Sequence, residues 1–326
     1  MTANKNDVEL VEQLTESAVK IKKEISKVII GQDRIINDLL ISLFSKGHCL
    51  LIGVPGLAKT LIIKTLSEVI DLSFNRIQFT PDLMPGDITG TEIIEEDHST
   101  GKRLFRYVKG PIFSNIILAD EINRTPPKTQ SALLEAMQEN KVTAAGNTYS
   151  LPQPFFVLAT QNPIEQEGTY PLPEAQLDRF MFSLWLDYPS IEEEIKVIKT
   201  TTSDYKPVLE KVISKEDLSK FQELIRRVPV ADNVIEFAVK TVNSTRKVDK
   251  GNKISDLISW GAGPRASQYL ILAAKTKAAL EGRFTPIIDD VSEFLIPVLR
   301  HRIIPSFNAE ADGINSVEII KMISNK

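Results

Sequence analysis

Residues 53–60, GVPGLAKT, nearly match the phosphate-binding motif G-x-x-x-x-G-K-[ST], but Ala58 stands where the motif has its second glycine. Lys59 could place a positive charge on the β- and γ-phosphates of a nucleotide, and the Thr60 hydroxyl could bind magnesium. We expect Ala58 at negative φ, where its methyl group can point away from the phosphates. An ordinary strand-turn-helix with an exposed lysine is the alternative. The candidate nucleotide-binding residues of this loop are Gly53, Pro55, Gly56, Leu57, Ala58, Lys59 and Thr60.

Two adjacent acids end a second apolar run, NIILADE at 115–121. A magnesium-nucleotide site needs a carboxylate near the metal, and hydrolysis needs a second group that activates water. We assign Asp120 to the magnesium shell and Glu121 to the general base. A pair of acids could instead cap the following helix, but the phosphate loop and a third strand in the same chain favour the catalytic interpretation.

A third apolar run, FFVLAT at 155–160, is followed by Asn162. Its amide could hold the attacking water or the γ-phosphate. An Asn-Pro turn explains the local sequence equally well. The catalytic assignment of Asn162 therefore depends on the two other motifs.

Three apolar runs, 49–53, 115–120 and 155–160, lack polar alternation, which is typical of strands buried on both faces of a parallel sheet. Polar or glycine residues follow each run. Ligands of open α/β sheets bind at the carboxyl ends of the strands, so we expect these residues to form one site.

Helices and hairpins are predicted around these strands. Residues 8–29 have the spacing of an amphipathic helix, and Asp33 is the predicted N-cap of a helix that runs to about residue 45. Two hairpins are predicted, over 91–108 and 141–152. In the first, acids of one arm could face bases of the other, namely Glu95, Glu96 and Asp97 against Lys102 and Arg103.

The segment LDYPS at 186–190 is the predicted domain boundary. Capping boxes begin at Ser190 and Ser214, a helix begins at Pro264, and no further buried strand is evident. The sequence thus predicts an α/β domain with a central parallel sheet over 1–188 and a smaller all-α domain over 189–326.

Composition narrows the class of protein. The 326 residues carry a formal net charge of -4, which weakens nucleic-acid interpretations. Three scattered histidines and one cysteine argue against a protein metal cage, and no apolar run is long enough to span a membrane. Cys49 is a predicted core residue. The single cysteine and the lack of a signal peptide predict a cytoplasmic protein.

Four segments, taken in order, closely resemble the MoxR-type AAA+ ATPases of the helix-2-insert clade: GVPGLAKT, ILADEINRTPPKTQSALLEAMQE, LATQNP and PEAQLDRF. Alanine before the motif lysine is usual in that group. The resemblance implies an AAA+ core with a helical lid, and hydrolysis of ATP with Mg²⁺. It also implies that the two hairpins are the helix-2 insert and the pre-sensor-1 insert.

Further roles are implied by this resemblance alone. Arg179 matches the arginine finger that reaches a neighbouring subunit, although an ion pair with Asp178 or Glu174 is an alternative. Arg265 matches sensor 2, expected at the γ-phosphate of the same subunit. Gln32 falls where the adenine pocket begins, or at a mere helix break, and Arg124 could act at a subunit interface.

Several functions remain open on this core. The resemblance implies a ring, expected to be a hexamer, that remodels or matures partner proteins, with von Willebrand factor A proteins as candidate partners. A nucleic-acid motor and a magnesium-chelatase-like subunit are the alternatives. The acidic balance, and a second hairpin with Lys141 as its only base, favour protein partners over nucleic acid.

Overall fold

The computed structural model describes residues 5–96, 103–144, 146–164, 168–246 and 253–324. Eleven strands lie in these ranges. They are β1 Cys49–Gly53, β2 Phe74–Gln78, β3 Gly90–Glu96, β4 Arg103–Lys109, β5 Ile116–Asp120, β6 Lys141–Ala144, β7 Asn147–Ser150, β8 Phe156–Gln161, β9 Phe182–Leu186, β10 Ile258–Trp260 and β11 Ile304–Pro305.

Fifteen α-helices are formed by the same ranges. The first six are α1 Lys5–Ile25, α2 Asp33–Phe44, α3 Lys59–Val69, α4 Pro85–Thr89, α5 Pro127–Glu139 and α6 Glu174–Leu177. The other nine are α7 Ile191–Thr201, α8 Lys215–Arg227, α9 Asp232–Asn243, α10 Lys253–Asp256, α11 Pro264–Leu280, α12 Ile288–Glu293, α13 Leu295–Leu299, α14 Phe307–Ala311 and α15 Ser316–Ser324.

The central sheet contains five parallel strands in the order β2-β5-β8-β1-β9. The three strands predicted from apolar runs are confirmed as its middle members. The outer strands β2 and β9 were not predicted. Because all five strands are parallel, their carboxyl ends lie at one edge of the sheet and their amino ends at the other.

Both faces of this sheet are buried, as its apolar sequences require. Alternate residues of one strand enter different clusters: Leu51 packs with α1, α2, α3 and the C-terminal helices, whereas Leu50 packs with α5. Burying a leucine side chain contributes about 1.5–3 kcal/mol. Cys49 is fully buried, so its prediction as a core residue is confirmed.

The C-terminal part is helical and packs directly on the sheet domain. The Gln222 amide of α8 donates to the Leu43 carbonyl of α2 at 2.8 Å, and the Thr15 hydroxyl of α1 to the Ala279 carbonyl of α11 at 3.1 Å. A short antiparallel pair, β10 with β11, accompanies these helices and was not predicted. None of the described helices combines the length and apolarity that crossing a bilayer requires.

Local signals located most helix ends correctly. Both capping boxes are confirmed, because the Ser190 hydroxyl accepts from the Glu193 amide and the Ser214 hydroxyl from the Asp217 amide. The predicted N-cap is wrong: Gln32, at φ 62°, precedes the helix, and Asp33 is its first residue. The proposed division at residue 188 stays a prediction.

The two predicted hairpins are confirmed as β3–β4 and β6–β7. Glu96 pairs in register with Arg103, whereas the ion pair at 3.0 Å joins Glu95 to Arg106. Asp97 and Lys102 lie outside the described residues. The rings of Tyr107 and Tyr149 stack at 4.3 Å and join one hairpin to the other.

Asp38 on α2 is 6% exposed, and this burial raises the pKa of its carboxyl group from 3.8 to about 7. Glu293 adds to the rise of the pKa, and Arg34 opposes it. Between these pH values the folded chain keeps a proton that the unfolded chain has lost, so the free energy of unfolding falls as pH rises.

Asp38→Asn should remove this dependence, because an amide does not titrate. Relative to the variant, the wild type should lose about 1.4 kcal/mol of unfolding free energy per pH unit between about pH 4 and 7. Urea unfolding across that range measures the difference. Asp204→Asn, at an exposed carboxyl group, is the matched control. Identical pH dependence in wild type and Asp38→Asn would contradict the assignment.

Candidate nucleotide-binding and catalytic site

The phosphate loop connects β1 to α3. Gly56 lies at φ 87° and Ala58 at φ 56°, so the expectation of a negative φ at Ala58 is wrong. Left-handed conformations cost a non-glycine residue roughly 1–2 kcal/mol. Successive backbone turns of this kind aim N–H groups at an anion, and the N-terminus of α3 adds its dipole. The Lys59 ammonium group donates to the Gly53 carbonyl at 2.6 Å, within the loop itself.

Asp120, at the end of β5, is almost fully buried and has two partners. One carboxylate oxygen accepts from the Thr160 hydroxyl at 2.5 Å. The other accepts two hydrogen bonds from the Arg76 guanidinium group, at 2.7 and 3.0 Å. Thr160 also accepts from the Glu121 amide at 2.9 Å, so one hydroxyl group orients both acids.

Glu121 is fixed in place by two side chains and by its backbone. Its carboxylate accepts from the Gln78 amide at 2.8 Å and from Arg124 at 3.1 Å. Its φ is 57°, an uncommon value that tends to occur at functional sites. Both hydrogen bonds are to the same carboxylate oxygen, so they orient the candidate base without using its other oxygen.

Asn162 follows β8 and is buried, at 6% exposure. Its side-chain oxygen accepts from the Ile164 amide at 3.2 Å, which is the Asn-Pro turn that the sequence left open. Its side-chain nitrogen has no hydrogen-bond partner among the described residues. A buried amide without a partner costs about 1–3 kcal/mol, so this group is suited to bind a ligand oxygen.

Strand register places these groups together. Gly53 follows Ile52, which pairs with Gln161, and Asp120 lies one residue beyond the pairing of Ala119 with Ala159. The phosphate loop, the acid pair and Asn162 therefore all lie at the carboxyl edge of the sheet, and the predicted convergence is confirmed.

Arg179 lies at the opposite edge. It precedes β9, whose first residue Phe182 pairs with Cys49, the first residue of β1. The Met181 amide donates to the His48 carbonyl at 2.7 Å, which fixes this end. Five residues of strand separate the two edges, on the order of 16 Å at about 3.3 Å per residue.

Arg265 lies beside Arg179 and not beside the phosphate loop. Its guanidinium group pairs with Asp178 at 2.7 Å, and the Tyr269 hydroxyl one helical turn later donates to the Arg179 carbonyl at 3.1 Å. The expectation that Arg265 meets the nucleotide of its own subunit is therefore wrong in this conformation. The reason is that α11 packs at the amino edge of the sheet.

The alternative ion pairs of Arg179 are also absent. Asp178 pairs with Arg265 and with the buried Arg302, at 2.7 Å each. Arg179 is half-buried, and it forms no ion pair with any residue in the described ranges. Its charge is thus available to another molecule.

Gln32 lies where β9 ends, and its side-chain amide donates to the Asp187 carbonyl at 3.1 Å. It lines a cavity of about 520 Å³ with Tyr188 and Glu193. Gly31 lies so close to Glu193 that a Cβ atom there would be 2.6 Å from the carboxylate. This position would allow Gln32 to contact the base of a bound nucleotide, and adenine binding by Gln32 stays a prediction.

Three residues that contact candidate site residues or their neighbours were not predicted from sequence. Arg76 and Gln78 alternate along β2 and hold Asp120 and Glu121, respectively. The alternation of polar and apolar residues in the segment FNRIQ was the available signal, but this segment was not assigned as a strand. Arg302, which fixes Asp178 from 124 residues away, left no local signal.

The chemistry of the donors fits magnesium. Thr60 and Asp120 offer the hydroxyl and carboxylate oxygens that this ion prefers. The described residues contain no group of three or more His, Cys, Asp and Glu that could enclose a metal. That arrangement suits an ion that takes most of its ligands from phosphates and water.

Comparisons with known proteins agree with this geometry. Residues 48–182 match the model of the ATPase family associated with various cellular activities (AAA), and residues 252–323 match that of the AAA lid domain. The chain is 44% identical over 302 residues to Chaperone MoxR1 of Mycobacterium tuberculosis, covering 92% of this chain and 79% of that protein. It is 28% identical over 306 residues to Protein MoxR of Methylorubrum extorquens, covering 88% of each.

A solved structure has the same fold. The crystal structure of a candidate ATPase from Cytophaga hutchinsonii superimposes with a TM-score of 0.90 at 43% identity, covering 98% of this chain and 96% of that one. An α/β core with a helical lid and a nucleotide-type phosphate loop defines an AAA+ ATPase. Within that class, the chain belongs to the MoxR family.

Substitutions at Ala58 test the loop geometry. Ala58→Gly should retain ATP binding, because glycine adopts φ 56° without strain. Ala58→Val should lower ATP affinity at least about tenfold, since a β-branched residue strongly disfavours that conformation. Calorimetric titration measures both affinities. Leu61→Val, in the first turn of α3, is the matched control for β-branching, and equal affinity in all variants would contradict this loop geometry.

Proposed function

We propose that this chain hydrolyses ATP with Mg²⁺ at a site shared between adjacent subunits of a ring. The loop residues 53–60 bind the phosphates, and Glu121 accepts a proton from the attacking water. Thr60 and Asp120 would hold magnesium, which supplies positive charge to the β- and γ-phosphate oxygens. Asn162 positions the water or the γ-phosphate through its unpaired amide group.

Two groups of candidate site residues lie at opposite ends of the central strands, and this separation is the main support for a shared site. The loop and the acids lie at the carboxyl edge, whereas Arg179 and Arg265 lie at the amino edge, a strand's length away. Neither arginine can reach the nucleotide of its own subunit without leaving this edge. In a ring, the amino edge of one subunit would face the carboxyl edge of the next, and both arginines would stabilise charge there in trans.

Asp178 and Arg302 act as positioning residues in this proposal. The Asp178 carboxylate joins Arg265 of the lid to the segment that carries Arg179. Buried Arg302 fixes Asp178 and also donates to the Phe180 carbonyl at 2.7 Å. The two candidate trans-acting arginines are therefore held as one rigid unit. A hexamer is the ring size we propose, from the family resemblance.

The proposed work of the ring is remodelling or maturation of partner proteins, with von Willebrand factor A proteins as candidates and the cytoplasm as location. The name of the relative Chaperone MoxR1 supports a chaperone role. Charge on the first hairpin supports protein partners, because Arg106 is paired with Glu95 and Glu96 lies opposite Arg103 in register. The nucleic-acid motor and the chelatase-like subunit are not favoured.

Mixing two inactive variants tests the shared site. Arg179→Ala should bind ATP but lose turnover by roughly 10³-fold or more, the range found for arginine fingers supplied in trans. Lys59→Ala should fail to bind ATP. Rings that contain both variants should regain part of the activity, because some interfaces pair an intact loop with an intact finger.

Phosphate release at a series of mixing ratios measures this rescue. Light scattering establishes that the two variants assemble together. Arg246→Ala is the matched control, since this arginine donates to the Ala262 carbonyl within the lid and should retain turnover. Co-assembled subunits that show no rescue at any ratio would exclude a finger acting in trans.

The partner class is tested with Glu121→Gln, which should bind ATP and hold it uncleaved. We expect pull-downs with this variant to enrich proteins only when ATP is present. Binding of single- and double-stranded DNA and RNA is measured in parallel at low salt, where phosphate contacts are strongest. Submicromolar, salt-sensitive binding that stimulates wild-type turnover would replace the chaperone proposal with a nucleic-acid motor.

A further inference from the structure

Helix α7 has an apolar face that no other part of the described ranges buries. Ile191, Ile195 and Ile198 are 75%, 47% and 53% exposed, and no residue of this helix is buried. Their spacing of four and three residues places them in one stripe. Exposed apolar stripes of this kind mark interaction sites.

This stripe lies on the side of the subunit that carries the phosphate loop. Helix α7 begins after β9, and a Cβ atom at Gly53 would be 2.9 Å from Leu186, so the end of β9 borders the start of the loop. The Ser190–Glu193 capping box fixes the first turn of α7 beside Gly31. The stripe is therefore held at the edge where a trans-acting neighbour must arrive.

A groove with complementary properties borders Arg265. It has a volume of about 640 Å³ and lies between α9 and α11. Ile235 and Val239 of α9, 40% and 50% exposed, form one apolar wall with the half-buried Ile271 opposite. Its rim is basic and includes Lys46, Arg226 and Arg265.

Charge and shape match between the two surfaces. The first turn of α7 carries three acids, of which Glu192 and Glu194 form no ion pair within the described ranges. Glu236 beside the groove is paired with Lys240 at 2.8 Å and Arg265 with Asp178 at 2.7 Å, so Lys46 and Arg226 leave the rim net positive. An amphipathic helix laid into an apolar groove is a common mode of protein recognition.

We propose that the α7 stripe of one subunit docks into the α9–α11 groove of the adjacent copy of this chain. The inference rests on the proposed shared site, because the same contact carries Arg179 and Arg265 of one subunit toward the phosphate loop of the other. It adds the surface that holds them there. Opposite charges at the first turn of α7 and at the groove rim fix the direction of docking.

Cross-linking between copies tests this contact. One preparation carries Ile195→Cys and another carries Val239→Cys, and both are treated with a short bismaleimide in the presence of ATP and magnesium. Cys49 is fully buried and should not react. The mixture should give covalent dimers at least about tenfold more efficiently than either variant alone, because docking raises the effective concentration of the pair. The double variant should give a ladder of higher species.

Val19→Cys, at an exposed position of α1, replaces Val239→Cys in the matched control and should give only the background level. Ile195→Asp should abolish assembly in light scattering, whereas Val19→Asp should not. If oligomers form without selective cross-linking, the proposed docking surface is wrong. The shared site is then decided by the mixing experiment with Arg179→Ala and Lys59→Ala. A chain that stays monomeric under all these conditions would overturn both.

Discussion

Parallel pairing of the five central strands sets the arrangement of the other elements. It directs every strand the same way, so each connection must return across a face of the sheet before the next strand begins. Groups that follow strands then collect at one edge, and groups that precede strands collect at the other. The acid pair and Arg179 are separated for this reason alone.

The same constraint explains what could be predicted. Strands β1, β5 and β8 are central, contact helices on both faces, and have wholly apolar sequences that indicate burial directly. The outer strands are different: β2 reads FNRIQ because its polar residues reach the acids, and β9 contains an exposed tryptophan. The two outer strands mix polar and apolar residues because some of their side chains contact the site or solvent. They therefore lack the continuous apolar run by which the central strands were predicted.

Candidate site residues were chosen by the same rule. Lys59, Asp120, Glu121 and Asn162 were identified as candidates because each follows a recognisable strand, and their roles stay predictions. The φ of Ala58 could not be predicted, since alanine rarely adopts a left-handed conformation and only the tertiary structure imposes it here. The position of Arg265 depends on packing between segments 87 residues apart, and no local pattern contains that information.

The stacked rings of Tyr107 and Tyr149 have a mechanical consequence. Helix α5 begins seven residues after Asp120 and ends where the second hairpin starts. A tilt of this helix at its N-terminal end, near the acid pair, would therefore displace the hairpin at its C-terminal end. The contact between the two rings would transmit that displacement to the first hairpin, which is connected in the chain to helix α4 and not to α5. The two hairpins are therefore coupled, so that neither can move far without the other.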